Sequence, residues 1–249
     1  MGIQAVVRAA ADGYTLLLVT STNALSATLY DNLDFSLLRD IAPVASIYRV
    51  PVVLVVHPAV PVNTVSELIA YAKANPGKLN FASSGTGNLT HVSGELFKML
   101  TGTDMVHIPY RGGTAPAQTD LLSGRVQVMF DTIPALVGHI KTGSLRALAV
   151  ASAAPSEALP NVPPGSEIVA GFEASGWYGI GAPSKVSSEI VERLNREINS
   201  TLHDPRLKGR FADFGGSLLV AWPIEFGKFI ADEVEKWGKV IRAANIKAE

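Results

Sequence analysis

The amino-acid sequence predicts an α/β fold, for three reasons. Short apolar runs of strand length alternate along the whole chain with segments whose apolar residues recur every three or four positions. Several of the strand-like runs end in small polar or glycine-rich loops that open directly into the next helical segment. Hydrophobic residues make up 47% of the 249 residues and charged residues 17%, which indicates a folded globular protein rather than a disordered chain. This alternation favours a mostly parallel sheet with helices on both faces.

The predicted strands are short apolar runs bounded by turn-forming residues. The run 50–56 is the best candidate for a longer apolar segment, but His57-Pro58 stops it at strand length, far short of what a membrane span needs. The predicted strands are residues 14–20, 50–56, 79–82, 105–108, 126–130, 145–151 and 177–182.

The predicted helices are bounded by recognisable start and stop signals. Thr64 and Glu67 form a capping box ahead of an apolar stripe, and Asn75-Pro76-Gly77 ends that helix. Asp204-Pro205 ends a long helix whose apolar residues repeat every four positions. The first residues are interpreted as the tail of a helix that ends at Asp12-Gly13. The remaining helices are residues 88–100, 115–122, 134–141, 186–202 and 226–241.

The composition argues against several functional classes. Lys plus Arg is 21 and Asp plus Glu is 22, so the net charge is -1 and no positive excess is available to bind nucleic acid. The chain has no cysteine, which excludes thiolate metal sites and cysteine nucleophiles. Zinc-protease, P-loop and nucleophile-elbow motifs do not occur. Ser84, His91 and Asp131 could form a catalytic triad on paper, but nothing in the sequence fixes their geometry. We therefore predict no enzyme, no cofactor and no metal.

The first candidate binding loop follows the strand at 79–82 and opens a helix. Glycines let the backbone approach a ligand, and a helix start presents N–H groups with partial positive charge, which suits a carboxylate or phosphate. An ordinary tight turn with a helix cap is the alternative. The predicted ligand-binding residues here are Ser83, Ser84, Gly85, Thr86, Gly87 and Asn88. His91, one turn further on, is interpreted as a packed histidine rather than a base or metal ligand.

The second candidate loop follows the strand at 105–108 and also opens a helix. Its glycine pair frees backbone amides to point at an anion, and Pro116 fits the first helical turn. Arg111 could add charge, although an arginine beside two glycines is more often solvated. The predicted ligand-binding residues are Gly112, Gly113, Thr114 and Ala115.

Two further polar positions end predicted strands. Ser21 and Thr22 follow the strand at 14–20, where they could bind a ligand or cap the next helix. Asp131 follows the strand at 126–130, where it could meet a ligand amine or hydroxyl or, as we slightly favour, cap the helix near Pro134. Ligands of open α/β sheets bind at the carboxyl ends of strands, which is where both positions lie.

Several segments, in this order along the chain, carry a family resemblance. They are residues 11–17, 79–87 with His91, 108–117, 120–124, 129–131, 145–150, 177–183 and 193–195. Together they resemble the substrate-binding proteins of tripartite tricarboxylate transporters, the Bug-type periplasmic receptors. The resemblance covers the chain from end to end.

This resemblance implies a type II periplasmic-binding-protein fold, with two α/β lobes around a ligand cleft. Carried onto this chain, one lobe would hold residues 1–53 and 177–249, and the other would hold residues 54–176. Family members bind small organic acids, often di- or tricarboxylates, mainly through backbone amides, small hydroxyls and water. The expected function is therefore capture of a small carboxylate in the periplasm for the membrane components of a tripartite transporter.

The family normally begins with a signal peptide, then a strand, a Pro/Gly-rich loop, a helix and a second strand. The first residues of this chain resemble the next helix, so a βαβ unit of roughly 30 residues or more is expected to be missing from the first lobe. An unpaired sheet edge invites pairing with another chain. We therefore expect a monomer, with a dimer through that edge as the alternative.

Two other classes remain as alternatives. The ligand-sensing domain of a LysR-type regulator shares this fold, although no helix-turn-helix precedes it here. An α/β hydrolase or transferase that uses the loop at Ser84 is the other alternative.

Overall fold

Two units of the chain are each built from segments that lie far apart in the sequence. The computed structural model describes residues 2–30 and 32–248. Unit 1 consists of Met1–Arg49, Trp177–Asp213 and Ser217–Lys239. Unit 2 consists of Val50–Gly176, Phe214–Gly216 and Val240–Glu249. The chain passes from unit 1 into unit 2 and back, so neither unit is a continuous stretch of sequence.

Helices and strands alternate through the first two thirds of the chain. In chain order the elements are α1 (Gly2–Val7), β1 (Leu17–Thr20), α2 (Ser21–Leu29), α3 (Leu37–Asp40), β2 (Ile41–Val56), α4 (Val65–Ala74), β3 (Asn80–Ser83), α5 (Leu89–Thr101), β4 (Val106–Pro109), α6 (Thr114–Leu122), β5 (Val128–Thr132), α7 (Ile133–Lys141), β6 (Arg146–Val150), β7 (Ser175–Pro183), α8 (Ser188–Leu202), α9 (Pro205–Asp213), β8 (Ser217–Leu218) and α10 (Pro223–Ala243). None of the helices in residues 2–30 and 32–248 is both long and apolar enough to span a membrane.

The predicted helix signals are confirmed where they rest on caps. The Thr64 hydroxyl caps α4 by accepting the Glu67 N–H at 3.1 Å. The Glu67 carboxylate accepts the Asn63 N–H at 2.6 Å, one residue before the N–H of Thr64 that the predicted capping box requires. The helix ends at Ala74, just before Asn75-Pro76-Gly77. A left-handed Gly102 with φ +64° ends α5.

Some predicted boundaries differ from the structure. The first helix ends at Val7 rather than at Asp12-Gly13. The second strand begins at Ile41, nine residues before the predicted start at 50, because its first half mixes buried and partly exposed residues and lacks a continuous apolar run. The long helix α8 ends at Leu202, as predicted, and Pro205 then opens α9, since proline suits a first helical turn.

The sheet of unit 2 is mixed, and the prediction of a mostly parallel sheet is wrong. Its strands lie in the order β6-β2-β5-β3-β4. The β3 strand pairs in parallel with both β4 and β5, whereas β2 is antiparallel to β5 and β6. The direction of β2 follows from its path, because this long strand carries the chain from unit 1 into unit 2.

An aromatic core fixes α5 against the sheet of unit 2. Phe81 lies edge-on to Phe130 at 6.1 Å between ring centroids, and Phe97 lies 5.6 Å from Phe130. Gly94 of α5 faces the Phe81 ring so closely that a Cβ there would come within 2.4 Å of it. A larger residue at Gly94 would force the helix away from the strand.

The core of unit 1 is organised around a buried carboxylate. Glu233 of α10 accepts the indole N–H groups of Trp177 and Trp237 at 2.9 and 3.0 Å. Lys236, one turn along the same helix, pairs with it. Buried charges are stable only when they are paired and hydrogen-bonded, and this one is both. The arrangement ties α10 to β7.

Candidate functional site

Two helix starts lie side by side at the carboxyl ends of neighbouring strands of the unit 2 sheet. The parallel strands β3 and β4 are paired in register, with Ser83 opposite Pro109. The Tyr110 N–H donates to the Ser83 carbonyl at 2.9 Å, which joins the loops that follow the two strands. We call residues 83–88 the first glycine loop and residues 110–113 the second glycine loop. They open α5 and α6 at the same end of the sheet, where β5, which is parallel to β3, also ends.

Asn88 organises the first glycine loop. Its Oδ1 accepts the His91 N–H at 3.2 Å and the Thr90 hydroxyl at 2.7 Å, and its Nδ2 donates to Ser84 Oγ at 2.7 Å. The Thr90 hydroxyl in turn accepts the Ser84 N–H at 2.9 Å. Asn88 is therefore a helix cap, and the loop is held by side chains of the helix that it opens.

Two stacked histidines lie beneath this loop. The Gly87 N–H donates to His91 Nδ1 at 3.0 Å, so the neutral ring carries its proton on Nε2. The His91 and His107 rings are 3.6 Å apart and nearly parallel, and His107 Nε2 lies 2.6 Å from Ser83 Oγ. Burial lowers the pKa of His91 to about 3, and His107 and Lys98 act in the same direction.

His91 is thus a packed histidine, as the sequence predicts. The part played by His107 was missed, because a single histidine within a strand has no motif around it. Ser83, predicted to contact ligand, is fully buried, and its hydroxyl is already shared between His107 and the Gly85 carbonyl at 3.1 Å.

The second glycine loop is more open. Gly113 has a φ of +88°, its N–H donates to the Tyr110 carbonyl at 3.0 Å, and it is the N-cap of α6 without a side-chain cap. Arg111 and Gly112 are exposed. Thr114 and Ala115 form the start of the helix and leave their N–H groups without intrahelical acceptors.

The second glycine loop is anchored to Asp120, a residue of α6, which also binds Arg125 after the end of that helix. The Tyr110 hydroxyl donates to Asp120 at 2.8 Å, and Arg125 donates to the other oxygen of the same carboxylate at 3.0 Å. Burial, followed by the hydrogen bond to Asp120 and its negative charge, raises the pKa of Tyr110 to about 12. The Tyr110 phenol therefore ties the loop to its helix.

Asp131 is the penultimate residue of β5 and is buried, with 5% exposure. It does not cap α7, whose N-cap is Thr132, so the capping interpretation is wrong. Its Oδ1 accepts the Thr132 N–H at 2.7 Å. Burial raises the pKa of Asp131 to about 6, and hydrogen bonds from Thr132 and Thr114 partly offset this rise.

Ser21 and Thr22 belong to unit 1, as the first two residues of α2. The capping interaction there is made by neighbouring residues, since the Thr20 N–H donates to Asn23 Oδ1 at 2.8 Å. Ser21 is buried and Thr22 is exposed.

The residues of the notional catalytic triad have other partners. Ser84 is hydrogen-bonded to Asn88 and Thr90, and His91 Nδ1 is occupied by the Gly87 N–H. Within residues 2–30 and 32–248, no three His, Asp or Glu side chains are grouped as metal ligands would be.

The sequence and fold both match known proteins over nearly the whole chain. The family described as "Tripartite tricarboxylate transporter family receptor" matches residues 1–246. This chain belongs to that family. Protein BugT of Bordetella pertussis is 38% identical over 250 residues, covering 99% of this chain and 76% of BugT.

Two solved structures show the same fold. R. palustris Rpa4515 with adipate has a TM-score of 0.82 and 33% identity, covering 99% of this chain and 83% of that one. The periplasmic binding protein BugD has a TM-score of 0.79 and 29% identity, with the same coverage. The predicted periplasmic-binding-protein fold is confirmed. As a member of this receptor family the chain is a solute-binding protein and not an enzyme, so the hydrolase and regulator alternatives fall away.

Proposed function

We propose that this receptor captures a small organic acid, a di- or tricarboxylate or a related carboxylate, in the periplasm and delivers it to the membrane components of a tripartite tricarboxylate transporter. The observation that carries the proposal is the side-by-side start of α5 and α6, joined by the Tyr110–Ser83 hydrogen bond of 2.9 Å. Two helix N-termini at one sheet edge form a concentrated source of positive potential.

Local dipoles explain how a chain of net charge -1 can bind an anion. The first N–H groups of each helix have no intrahelical acceptor and are available to a ligand. A hydrogen bond from such a group to a carboxylate is worth about 1.5–3 kcal/mol. Two or three of these bonds are enough to hold a small acid.

The internal hydrogen bonds of the loops indicate which amides serve the ligand. The N–H groups of Ser84, Gly87 and Gly113 donate within the protein. We therefore assign the ligand carboxylate to the helix starts, at Leu89 on α5 and at Thr114 and Ala115 on α6. The other positions predicted from the sequence, in both glycine loops and at Ser21 and Thr22 of unit 1, stay predictions.

The relatives support the ligand class and the compartment. Rpa4515, solved with adipate, shows that a relative with 33% identity binds a dicarboxylate. BugD is described as a periplasmic binding protein. The lobes predicted from the sequence, residues 1–53 with 177–249 and residues 54–176, stay a prediction.

A thermal-shift screen against di- and tricarboxylates, followed by calorimetry, tests the proposal. We expect at least one acid to raise the melting temperature, because a ligand that binds only the folded state stabilises it. The matching uncharged diamide should have no effect, and an esterase assay should show no turnover. Failure of every carboxylate to stabilise the protein would contradict the proposal.

A matched pair of glycine variants tests the assigned site. Gly113 and Gly102 both have positive φ, and a Cβ at either would meet no atom within 4 Å. Gly113→Ala and Gly102→Ala should each strain the backbone by about 1–3 kcal/mol. Only Gly113→Ala, at the start of α6, should weaken binding of the acid. Equal affinities in the two variants would place the ligand elsewhere.

The oligomeric state is a separate prediction. β1 lies at the edge of the sheet order, with β7 as its neighbour. We expect a monomer, or a dimer that pairs β1 with another copy, and light scattering over a concentration series distinguishes the two.

A further inference from the structure

Asp131 carries a buried oxygen atom without a hydrogen-bond partner. Its Oδ1 accepts the Thr132 N–H at 2.7 Å and lies 3.5 Å from the Thr132 hydroxyl. Its Oδ2 is buried and has no partner among the described residues. Buried polar atoms are almost always hydrogen-bonded, and leaving one unpaired costs about 1–3 kcal/mol. An unpaired oxygen at this position therefore indicates that something outside the protein pairs with it.

The unpaired oxygen lies close to the proposed binding site. Thr114, the first residue of α6, is near enough to the Asp131 carboxyl group to lower its pKa, so this group lies beside the helix start to which we assign the ligand carboxylate. A carboxylate oxygen that is buried next to a bound carboxylate would repel it. The repulsion is avoided if the ligand places a hydrogen-bond donor against Oδ2.

We infer that Asp131 Oδ2 accepts a hydrogen bond from a hydroxyl or ammonium group that the bound acid carries near its carboxylate, so that the site selects donor-bearing acids over plain ones. This inference rests on the proposed function, and it adds a second requirement to the ligand. The helix starts bind the carboxylate of the ligand, and Asp131 recognises the hydroxyl or ammonium group next to that carboxylate.

Two series of acids test the inference by calorimetry on the wild-type chain. Succinate, malate and aspartate share one carbon skeleton and differ only in hydrogen, hydroxyl or ammonium at one carbon. Glutarate, 2-hydroxyglutarate and glutamate repeat the comparison with one more carbon. We expect a donor-bearing member of one series to bind at least about tenfold more tightly than the plain member, the size of one hydrogen bond to a charged group. Comparing the hydroxyl-bearing with the ammonium-bearing acid of each series shows which of the two donors Asp131 binds.

Asp131→Asn tests the assignment to this residue. The amide keeps an oxygen for Thr132 but puts an N–H donor where Oδ2 stood, with almost no change in shape. The preference for the ammonium-bearing acid should fall by about tenfold or more, because an ammonium group can only donate. A hydroxyl can accept from the new N–H, so the hydroxyl-bearing acid should lose less, and the plain acid should bind as well as before or better. Asp104→Asn, at an exposed position of unit 2, is the control for the change in net charge. Circular dichroism verifies that both variants are folded.

The outcomes separate this inference from the proposed function. Equal affinity of the wild type for the three acids of a series would mean that water fills the place beside Oδ2, and the inference would be wrong while the receptor function stands. The inference is also wrong, and the receptor function again stands, if the six acids fail to bind but other carboxylates succeed in the broader screen. If no carboxylate binds at all, both are wrong. The affinities of the wild-type chain for the acids of each series are enough to decide the inference. The test therefore stays valid even if a variant fails to fold.

Discussion

The two glycine loops have similar positions and opposite internal structures. Each joins a parallel strand of unit 2 to a helix, and each contains a glycine with positive φ. In the first, backbone N–H groups donate to Thr90 and His91 of the helix that follows. In the second, Arg111 and Gly112 are exposed, and the Tyr110 side chain is anchored at Asp120.

Because of this difference, we expect the two loops to have different roles in ligand binding. A loop whose amides are already paired within the protein keeps its shape without a ligand, which lowers the entropy lost on binding. A loop whose tip is exposed can adjust to ligands of different size. We expect the first loop to fix the position of α5 and the second to adapt, and the following predictions test that contrast.

The largest effect should come from His91→Leu. The substitution leaves the Gly87 N–H buried without an acceptor and removes the stack on His107, so the free energy of unfolding should fall by about 1–3 kcal/mol. His91→Asn is the matched control, because its Oδ1 can replace Nδ1 as the acceptor and should recover part of the loss. Denaturant titration measures both. Equal losses would show that the ring packs there without supporting the loop.

A smaller effect is expected for Tyr110→Phe, which removes the hydrogen bond to Asp120. The loss should be about 0.5–1.5 kcal/mol, because one neutral donor and a partly exposed acceptor are separated. Tyr14→Phe, at a side chain with 92% exposure, should have no effect. If Tyr110→Phe destabilises the protein more than His91→Leu, the proposed difference between the loops is wrong.

His91 and Asp131 should change the free energy of unfolding in opposite directions as the pH changes. The pKa of His91 falls from 6.5 to about 3, so its contribution is complete above pH 6.5 and is lost as the pH falls towards 3. The pKa of Asp131 rises from 3.8 to about 6, so its contribution is present below pH 3.8 and is lost as the pH rises through 6. Between pH 4 and 6 the two contributions partly cancel.

Variants separate these slopes when unfolding is measured at several pH values. Relative to the wild type, His91→Asn should gain stability on acidification from pH 6 to 4, and Asp131→Asn should lose it. Parallel curves for all three proteins would contradict both assignments.

The smallest effect should come from Arg111→Ala. Arg111 is exposed, and exposed charges contribute about 0–1 kcal/mol. The affinity for the acid should therefore change less than it does in Gly113→Ala. If Arg111→Ala abolishes binding while Gly113→Ala is silent, a salt bridge and not the helix start holds the ligand.

Local signals in the sequence predict much of unit 2 but not its internal pairing. The cap at Thr64 and the stop at Asn75-Pro76-Gly77 each act within one helical turn, so the sequence alone reveals them. The direction of β2 depends on the path of the whole chain, and the mixed sheet was therefore missed. The stack of His91 on His107 joins residues from α5 and β4, and no spacing rule brings such a pair together.

The same limit applies to the candidate site. The alternation of strands and helices placed both glycine loops at a sheet edge. It could not show that Ser84, Gly87 and Gly113 use their N–H groups inside the protein, since their partners are chosen by the folded backbone. Nor could it distinguish a capping Asp131 from one with an unpaired oxygen.

The tryptophans have a practical consequence for spectroscopy. All three of them, Trp177, Trp222 and Trp237, lie in unit 1, and the indoles of Trp177 and Trp237 share the Glu233 carboxylate. The intrinsic emission of the wild-type chain therefore reports on unit 1, whereas the glycine loops belong to unit 2. Met99, exposed on α5, offers a position for a fluorescent label in unit 2. With such a label, the two units could be observed at separate wavelengths in one titration.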